Sequence, residues 1–128
     1  MDTPQFWSYV AGFMDGEGCI EIHPAEVGMR IRIANTHLPA LEYIRDGVGF
    51  GSVQHYRRSA KFRQLYAYAI SNMTDCKRFL EKVRPFLIVK AARADYAMQI
   101  IGRAEERMAD CIAGSARVRS HSFRCSPS

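Results

Sequence analysis

The chain has 128 residues, and its 48% hydrophobic content is sufficient for the core of one compact domain. No apolar run is long enough to span a bilayer and the N-terminus lacks a signal-peptide layout, so we expect an intracellular protein, of a bacterial cytoplasm or an organelle, without a membrane partner. The four cysteines form no CxxC pair, which argues against a structural zinc site.

The net charge of +5 is distributed unevenly along the chain. All 18 basic residues follow position 29, but only 8 of the 13 acidic residues do. Between Gly47 and Asp75 there are four basic residues and no acid. A chain that is mostly basic after residue 29, with a small acidic region before it, favours a polyanionic partner and a metal. Surface charges that only keep the protein soluble are the alternative.

The first predicted element is a helix from Pro4 to about Asp15, because Thr3 is a suitable N-cap and proline is favoured at the first helical position. Gly16 is predicted to end this helix as a left-handed C-cap. Small residues on one side of the helix would let a second helix approach closely; they are Ser8, Ala11 and Gly12.

Two acids, Asp15 and Glu17, alternate with glycines at the end of this helix. A helix C-terminus carries partial negative charge, so carboxylates are unfavourable there unless a cation joins them. The pair therefore indicates either a divalent-metal site or a role in ending the helix, and the residues alone leave both open.

Alternation of apolar and polar residues predicts two β-hairpins, each followed by a helix. The predicted strands are residues 19–23, 29–34, 52–56 and 64–71. The predicted helices that follow are residues 38–46, 75–83 and 91–109. The fold class is therefore α+β, with the order α-ββ-α-ββ-α-α and a four-stranded antiparallel sheet, shaped as a saddle, backed by helices.

The last helix has an apolar stripe that is predicted to lie in the core. The stripe consists of Ala94, Ala97, Met98, Ile101, Ala104 and Met108. We expect a single domain over residues 1–110, followed by a mobile, basic, Ser-rich tail over residues 111–128.

A sheet of this kind leaves one face open to solvent, and its side chains can reach base edges in the major groove. The residues predicted to lie on the open face are Glu21, His23, Arg30, Arg32, Gln54, Tyr56 and Arg63. The connection between the third and fourth strands is expected to contact phosphates, although a solvated hairpin tip is the alternative. Its basic residues are Arg57, Arg58 and Lys61.

Residues 10–18, VAGFMDGEG, resemble the nine-residue LAGLIDADG motif of homing endonucleases, and the order of elements from residue 4 to about 109 matches that family's fold. The resemblance implies a metal-dependent, site-specific endonuclease that cuts both strands of a long, near-palindromic DNA target in intron or intein homing. Only one motif is present, which implies a homodimer formed through the motif helices. The small residues Ser8, Ala11 and Gly12 would then lie at the dimer interface.

The resemblance also implies roles for individual positions. Glu17, the second motif acid, would bind Mg²⁺ together with the Gly16 carbonyl, and Mn²⁺ or Ca²⁺ could substitute in binding. Asp15 would support the helix junction or assist catalysis. Lys90 would stabilise developing charge or orient the attacking water, and Asn35 would position solvent near the metal.

Two other functions remain open on the same fold. One is a DNA-binding regulator that does not cut, against which the presence of Glu17 and Lys90 argues. The other is a splicing maturase that binds intron RNA. Among the single residues, Asn35 could be a simple N-cap, and Lys90 could be an ordinary solvated lysine at the start of a helix.

Overall fold

In a computed structural model, the chain is described over residues 2–23, 28–56 and 64–117, with side chains described up to residue 110. Its elements are α1 (Pro4–Glu17), β1 (Gly18–His23), β2 (Gly28–Asn35), α2 (Leu38–Val48), β3 (Ser52–Tyr56), β4 (Leu65–Ile70), α3 (Met73–Val83), a 3₁₀ turn (Arg84–Phe86) and α4 (Ala91–Arg117). The predicted α+β class and order of elements are therefore confirmed.

The strands form one antiparallel sheet in the order β1-β2-β4-β3. At its centre β2 pairs with β4, so that Ile31 lies opposite Ile70 and Ile33 lies opposite Tyr68. Alternation along β2 directs Met29, Ile31 and Ile33 into the core, which all four helices help to form. The helices therefore cover one face of the sheet, and the opposite face stays open.

Side-chain caps begin two of the helices, at Thr3 as predicted and at Asn72. The Thr3 hydroxyl oxygen accepts from the Phe6 N–H at 3.2 Å, and Asn72 Oδ1 accepts from the Asp75 N–H at 2.8 Å. At α2 the N-cap is His37, which makes no side-chain cap bond. The starts of α1 and α3 are therefore largely local properties of the sequence.

The prediction that Gly16 is a left-handed C-cap is wrong. The first helix continues through Gly16 to Glu17, and Gly18 follows in an extended conformation with φ −88° and ψ 165°. The Gly18 N–H donates to the Met14 carbonyl, and a Cβ on Gly18 would lie 2.7 Å from that oxygen. Gly18 is thus required by a close approach, and α1 passes into β1 without a loop.

The predicted small-residue side of α1 also needs correction. Ala11 is fully buried in the core of its own chain, so it faces inward. Ser8 and Gly12 are exposed, and a Cβ on Gly12 would meet nothing within 4 Å. The exposed small residues of the predicted face are therefore Ser8 and Gly12 alone.

The last helix is longer than predicted and only partly core. It runs to Arg117 rather than ending near residue 109. Ala94, Ala97 and Ile101 are buried, but Met108 is 64% exposed because it lies beyond Ile101, the last buried residue among the described side chains of α4. Across residues 2–23, 28–56 and 64–117, no helix is both long and apolar enough to cross a membrane.

Candidate active site and nucleic-acid interface

The Asp15 carboxylate joins the end of α1 to the segment that precedes α4. Its Oδ2 accepts from the Ile88 N–H at 2.9 Å, and its Oδ1 accepts from the Lys90 N–H at 3.0 Å. Backbone N–H groups just before a helix have no partners within that helix, and a carboxylate is favourable there. Asp15 therefore holds together two segments that lie more than 70 residues apart in sequence.

The Lys90 side chain also contacts the end of α1. Its Nζ donates to the Asp15 carbonyl at 2.8 Å, at the C-terminus of α1. A cation is favourable at that end of a helix. Backbone and side-chain contacts with Asp15 thus fix Lys90, and its ammonium lies at the helix end that carries Glu17.

The oxygens of Gly16 and Glu17 remain available for a cation. Both residues are exposed at the end of α1, whereas the Met14 and Asp15 carbonyls accept hydrogen bonds from Gly18 and Lys90. Carboxylate and carbonyl oxygens are the hard ligands that Mg²⁺ prefers. Within the described part of the chain, no group of three or more His, Cys, Asp or Glu residues could hold a metal.

Asn35 lies at the end of β2, close to the end of α1. The pairing of β1 with β2 begins with Gly18 opposite Ile33, so Ala34 and Asn35 extend past it toward the helix. The Asn35 Oδ1 accepts from the His37 N–H at 2.8 Å. Its amide Nδ2 is the group that can bind solvent, and the oxygen has a structural role at the start of α2.

The open face of the sheet brings the predicted polar residues into one hydrogen-bonded network. Arg32 Nη2 lies 3.0 Å from Glu21 Oε2, and Arg32 Nη1 donates to the Tyr56 hydroxyl at 3.4 Å. Arg30 Nη2 and the Tyr56 hydroxyl both donate to Gln54 Oε1 at 3.3 Å. The bond with Tyr56 and the charge of Glu21 raise the pKa of Arg32, which keeps it cationic.

His23 lies at the edge of this network, with its Nε2 3.9 Å from Glu21 Oε1. Six of the seven residues predicted for the open face therefore occur there. The remaining one and the basic residues of the hairpin connection lie outside the described residues; they are Arg57, Arg58, Lys61 and Arg63.

Sequence reasoning missed two features of this surface. Ala67 and Ala69 of β4 are on the open face but are only 0% and 2% exposed. Arg93 of α4 donates to the Ile20 carbonyl at 3.3 and 3.1 Å and so covers part of the edge of β1. Alternation along β4 predicts that the alanines share one face, but no sequence signal shows what covers them.

The Asp15 carboxylate should make stability depend on pH. Burial acts to raise the pKa of Asp15, but the hydrogen bonds from Ile88 and Lys90 outweigh it and lower the pKa below its usual value of 3.8. A lowered folded-state pKa stabilises the fold above about pH 4, and this contribution is lost as the pH falls through the folded-state value. We expect Asp15→Asn to reduce the free energy of unfolding by about 2 kcal/mol at pH 7, measured by urea denaturation.

The same measurement at pH 3 should show a smaller difference between wild type and Asp15→Asn. Asp46→Asn is the matched control, because Asp46 is exposed and its carboxylate is hydrogen-bonded to the adjacent Arg45. An equal loss of stability at pH 7 and pH 3 would contradict the assignment of the pH dependence to Asp15.

The comparisons with protein families and solved structures agree with the architecture described above. The profile of the LAGLIDADG-like domain matches residues 7–84, from α1 to the 3₁₀ turn. A comparison with curated proteins found no match. Among solved structures, the homing endonuclease I-CvuI, in complex with the I-CreI target in the presence of Mg, is 26% identical, with a TM-score of 0.64 over 79% of this chain and 68% of that one.

Two further structures support the fold alone because their identities are lower. The homing endonuclease I-TnaI is 21% identical, with a TM-score of 0.64 over 83% of this chain and 76% of that one. The archaeal intron-encoded I-Vdi141I, complexed with DNA, is 20% identical, with a TM-score of 0.59 over 93% and 80%. Since the profile spans more than half of the sequence, this chain belongs to the LAGLIDADG family and has the fold of its homing endonucleases, with the size of the single-motif type.

Proposed function

We propose that this protein is a homodimeric, Mg²⁺-dependent homing endonuclease that cuts both strands of a long, near-palindromic DNA target. The observation that carries the proposal is the end of α1, where Glu17 and the Gly16 carbonyl are exposed while Asp15 holds Lys90 at the same helix end. Hard oxygens for a cation and a fixed ammonium beside them are a suitable arrangement for hydrolysis of a phosphodiester.

The proposed roles of the individual residues follow from these contacts. Glu17 and the Gly16 carbonyl hold the ion, which when bound supplies positive charge at the scissile phosphate. Lys90 presents its ammonium to the negative charge that develops on the phosphate oxygens. The Asn35 amide orients a water molecule. Solved complexes of I-CvuI were obtained with Mg and with Ca, which supports use of a divalent cation here.

The exposed end of α1 supports a dimer. One chain contributes a single exposed carboxylate at the end of α1, and a second copy would contribute another. The exposed face of α1 has room for that copy, because Gly12 is bare and Ser8 lies one helical turn before it. Two motif helices that cross there would place both Glu17 side chains near the two-fold axis.

The DNA interface is proposed to be the open face of the sheet, with Arg30, Arg32, Gln54 and Tyr56 directed at base edges. Two symmetry-related sheets would read two half-sites, which implies a near-palindromic target. The hairpin residues Arg57, Arg58 and Lys61 are proposed to contact phosphates, and intron or intein homing is the proposed biological role.

A cleavage assay tests this function directly. A library of random duplexes is incubated with the protein and Mg²⁺, and the cleaved ends are sequenced. We expect one long, near-palindromic site, cut on both strands with Mg²⁺ and uncut with EDTA. Selective duplex binding without any cleavage would instead identify a DNA-binding regulator, and tighter binding to structured intron RNA than to duplex would identify a maturase.

A further inference from the structure

The central strand β4 has two alanines on the open face, and both are covered. The helices lie against the other face, so among the described residues the 0% exposure of Ala67 and the 2% exposure of Ala69 point to cover by side chains on the open face itself. Ala69 pairs with Arg32 of β2, and Ala67 pairs with Gln54 of β3. The side chains able to cover the alanines therefore come from the two flanking strands.

The arginines of β2 cross over β4 to reach β3. In the sheet order, β4 separates β2 from β3, which places them about 10 Å apart. Arg32 pairs with Ala69 whereas Tyr56 pairs with Leu65, so the hydrogen bond from Arg32 to Tyr56 runs diagonally over β4. A small side chain on β4 leaves this path open, whereas a bulky one would occupy the space that the guanidinium groups cross.

We propose that Ala67 and Ala69 are positioning residues that set a preference for guanine at the base pairs contacted by Arg30 and Arg32. This inference rests on the proposed DNA-binding function. Arginine reads guanine with two N–H groups directed at O6 and N7 in the major groove. A guanidinium that is anchored on neighbouring side chains loses less conformational freedom when it forms such a pair.

The contacts around the two arginines match this role. Arg32 is held from both sides, by Glu21 at 3.0 Å and by Tyr56 at 3.4 Å, so it cannot turn freely toward a phosphate. Arg30 is held by Gln54, and its buried Nε has no acceptor in the part of the chain that the structure describes. A base edge would supply acceptors for further N–H groups on the Nη atoms of the two arginines, since a guanidinium carries five N–H donors.

The test compares binding-site preferences of variants. Wild-type protein selects duplexes from a random library in Ca²⁺, and Arg30→Met and Arg32→Met identify the base pairs that each arginine reads. We expect G·C at those positions. Ala69→Leu should reduce the guanine preference there about tenfold, while affinity for unrelated duplex DNA stays unchanged.

Two control variants and one variant of the hydrogen-bonded network separate positioning from simple loss of folding. Ala69→Ser keeps a small side chain and should retain the guanine preference. Ser52→Leu adds the same bulk to the same face, on the exposed edge strand beside Ala69, and should also retain it. Tyr56→Phe removes only a hydroxyl from the network and should weaken the preference at the base pair read by Arg32.

The combined variant decides how Ala69 acts. If Ala69→Leu works through the arginines, adding it to the double variant Arg30→Met, Arg32→Met should change the selected sequences no further. An unchanged guanine preference in Ala69→Leu, or an equal loss in Ser52→Leu, would overturn the inference while leaving the proposed function intact. If the wild-type protein selects no duplex, both the inference and the proposed function are contradicted.

Discussion

Glu17→Gln is expected to reduce double-strand cleavage by about a thousandfold or more without weakening DNA binding. The amide keeps the shape of the side chain but removes the proposed anionic ligand at the end of α1, and several kcal/mol of transition-state stabilisation would be lost with the ion. Because Glu17 is exposed, the fold should be unaffected. Single-turnover cleavage of the selected target and fluorescence anisotropy of labelled duplex measure the two quantities.

Glu81→Gln provides the matched control, since Glu81 is an equally exposed glutamate at the far end of α3. It should cleave at the wild-type rate. Cleavage by Glu17→Gln within tenfold of wild type would remove Glu17 from the metal site. A variant that fails to bind the duplex would show that this carboxylate supports binding or folding instead.

Gly12→Gln is expected to separate the proposed dimer without harming the single chain. Among the described residues, nothing apart from the adjacent turns of the helix backbone and the two chain neighbours lies within 4 Å of a Cβ at position 12, so each monomer has room for the new side chain. Replacing glycine inside an exposed helix should stabilise the monomer by about 0.5–1 kcal/mol. Between two closely crossing helices the same side chain has no room, and the dimer dissociation constant should rise about a hundredfold.

Analytical ultracentrifugation measures the dissociation constant, and thermal unfolding measures the stability of the monomer. Gly102→Gln is the control, because Gly102 is also a helical glycine with nothing within 4 Å of its Cβ. It should gain stability and remain dimeric. A dimer of normal affinity in Gly12→Gln would place the interface elsewhere, and double-strand cleavage should fall only if dimerisation is lost.

Local signals account for most of the fold that could be predicted. The Thr3 and Asn72 caps, the alternation in the strands and the glycine at position 49, which has φ +94°, depend on a few neighbouring residues each. The end of α1 was predicted wrongly because two glycines, Gly16 and Gly18, compete for the same signal. The Gly18 N–H donates to the Met14 carbonyl four residues earlier, so the helical pattern continues past Gly16, and residue type alone does not show which glycine ends the helix.

The candidate site was predicted as a set of residues but not as an arrangement. The resemblance identified Asp15 and Lys90, yet nothing in the sequence shows that the carboxylate of one accepts from the backbone of the other, 75 residues away. Ala11 was misplaced because a small side chain can lie at a helix interface or in a core, and its type does not distinguish them. Burial of Ala67 likewise depends on the conformation of side chains from other strands.

Because α1 passes directly into β1, the distance between the end of the helix and the start of the strand is fixed. Glu17 is the last residue of the helix and Gly18 the first of the strand, so no flexible linker separates the proposed cutting residue from the proposed reading strand. A strand rises about 3.3 Å per residue, close to the 3.4 Å spacing of stacked bases. In an endonuclease of the proposed kind, this direct connection would hold the cutting residue at a constant distance from the sheet. Side chains on the sheet could then change the DNA sequence that is read, while the stagger of the cut would stay constant.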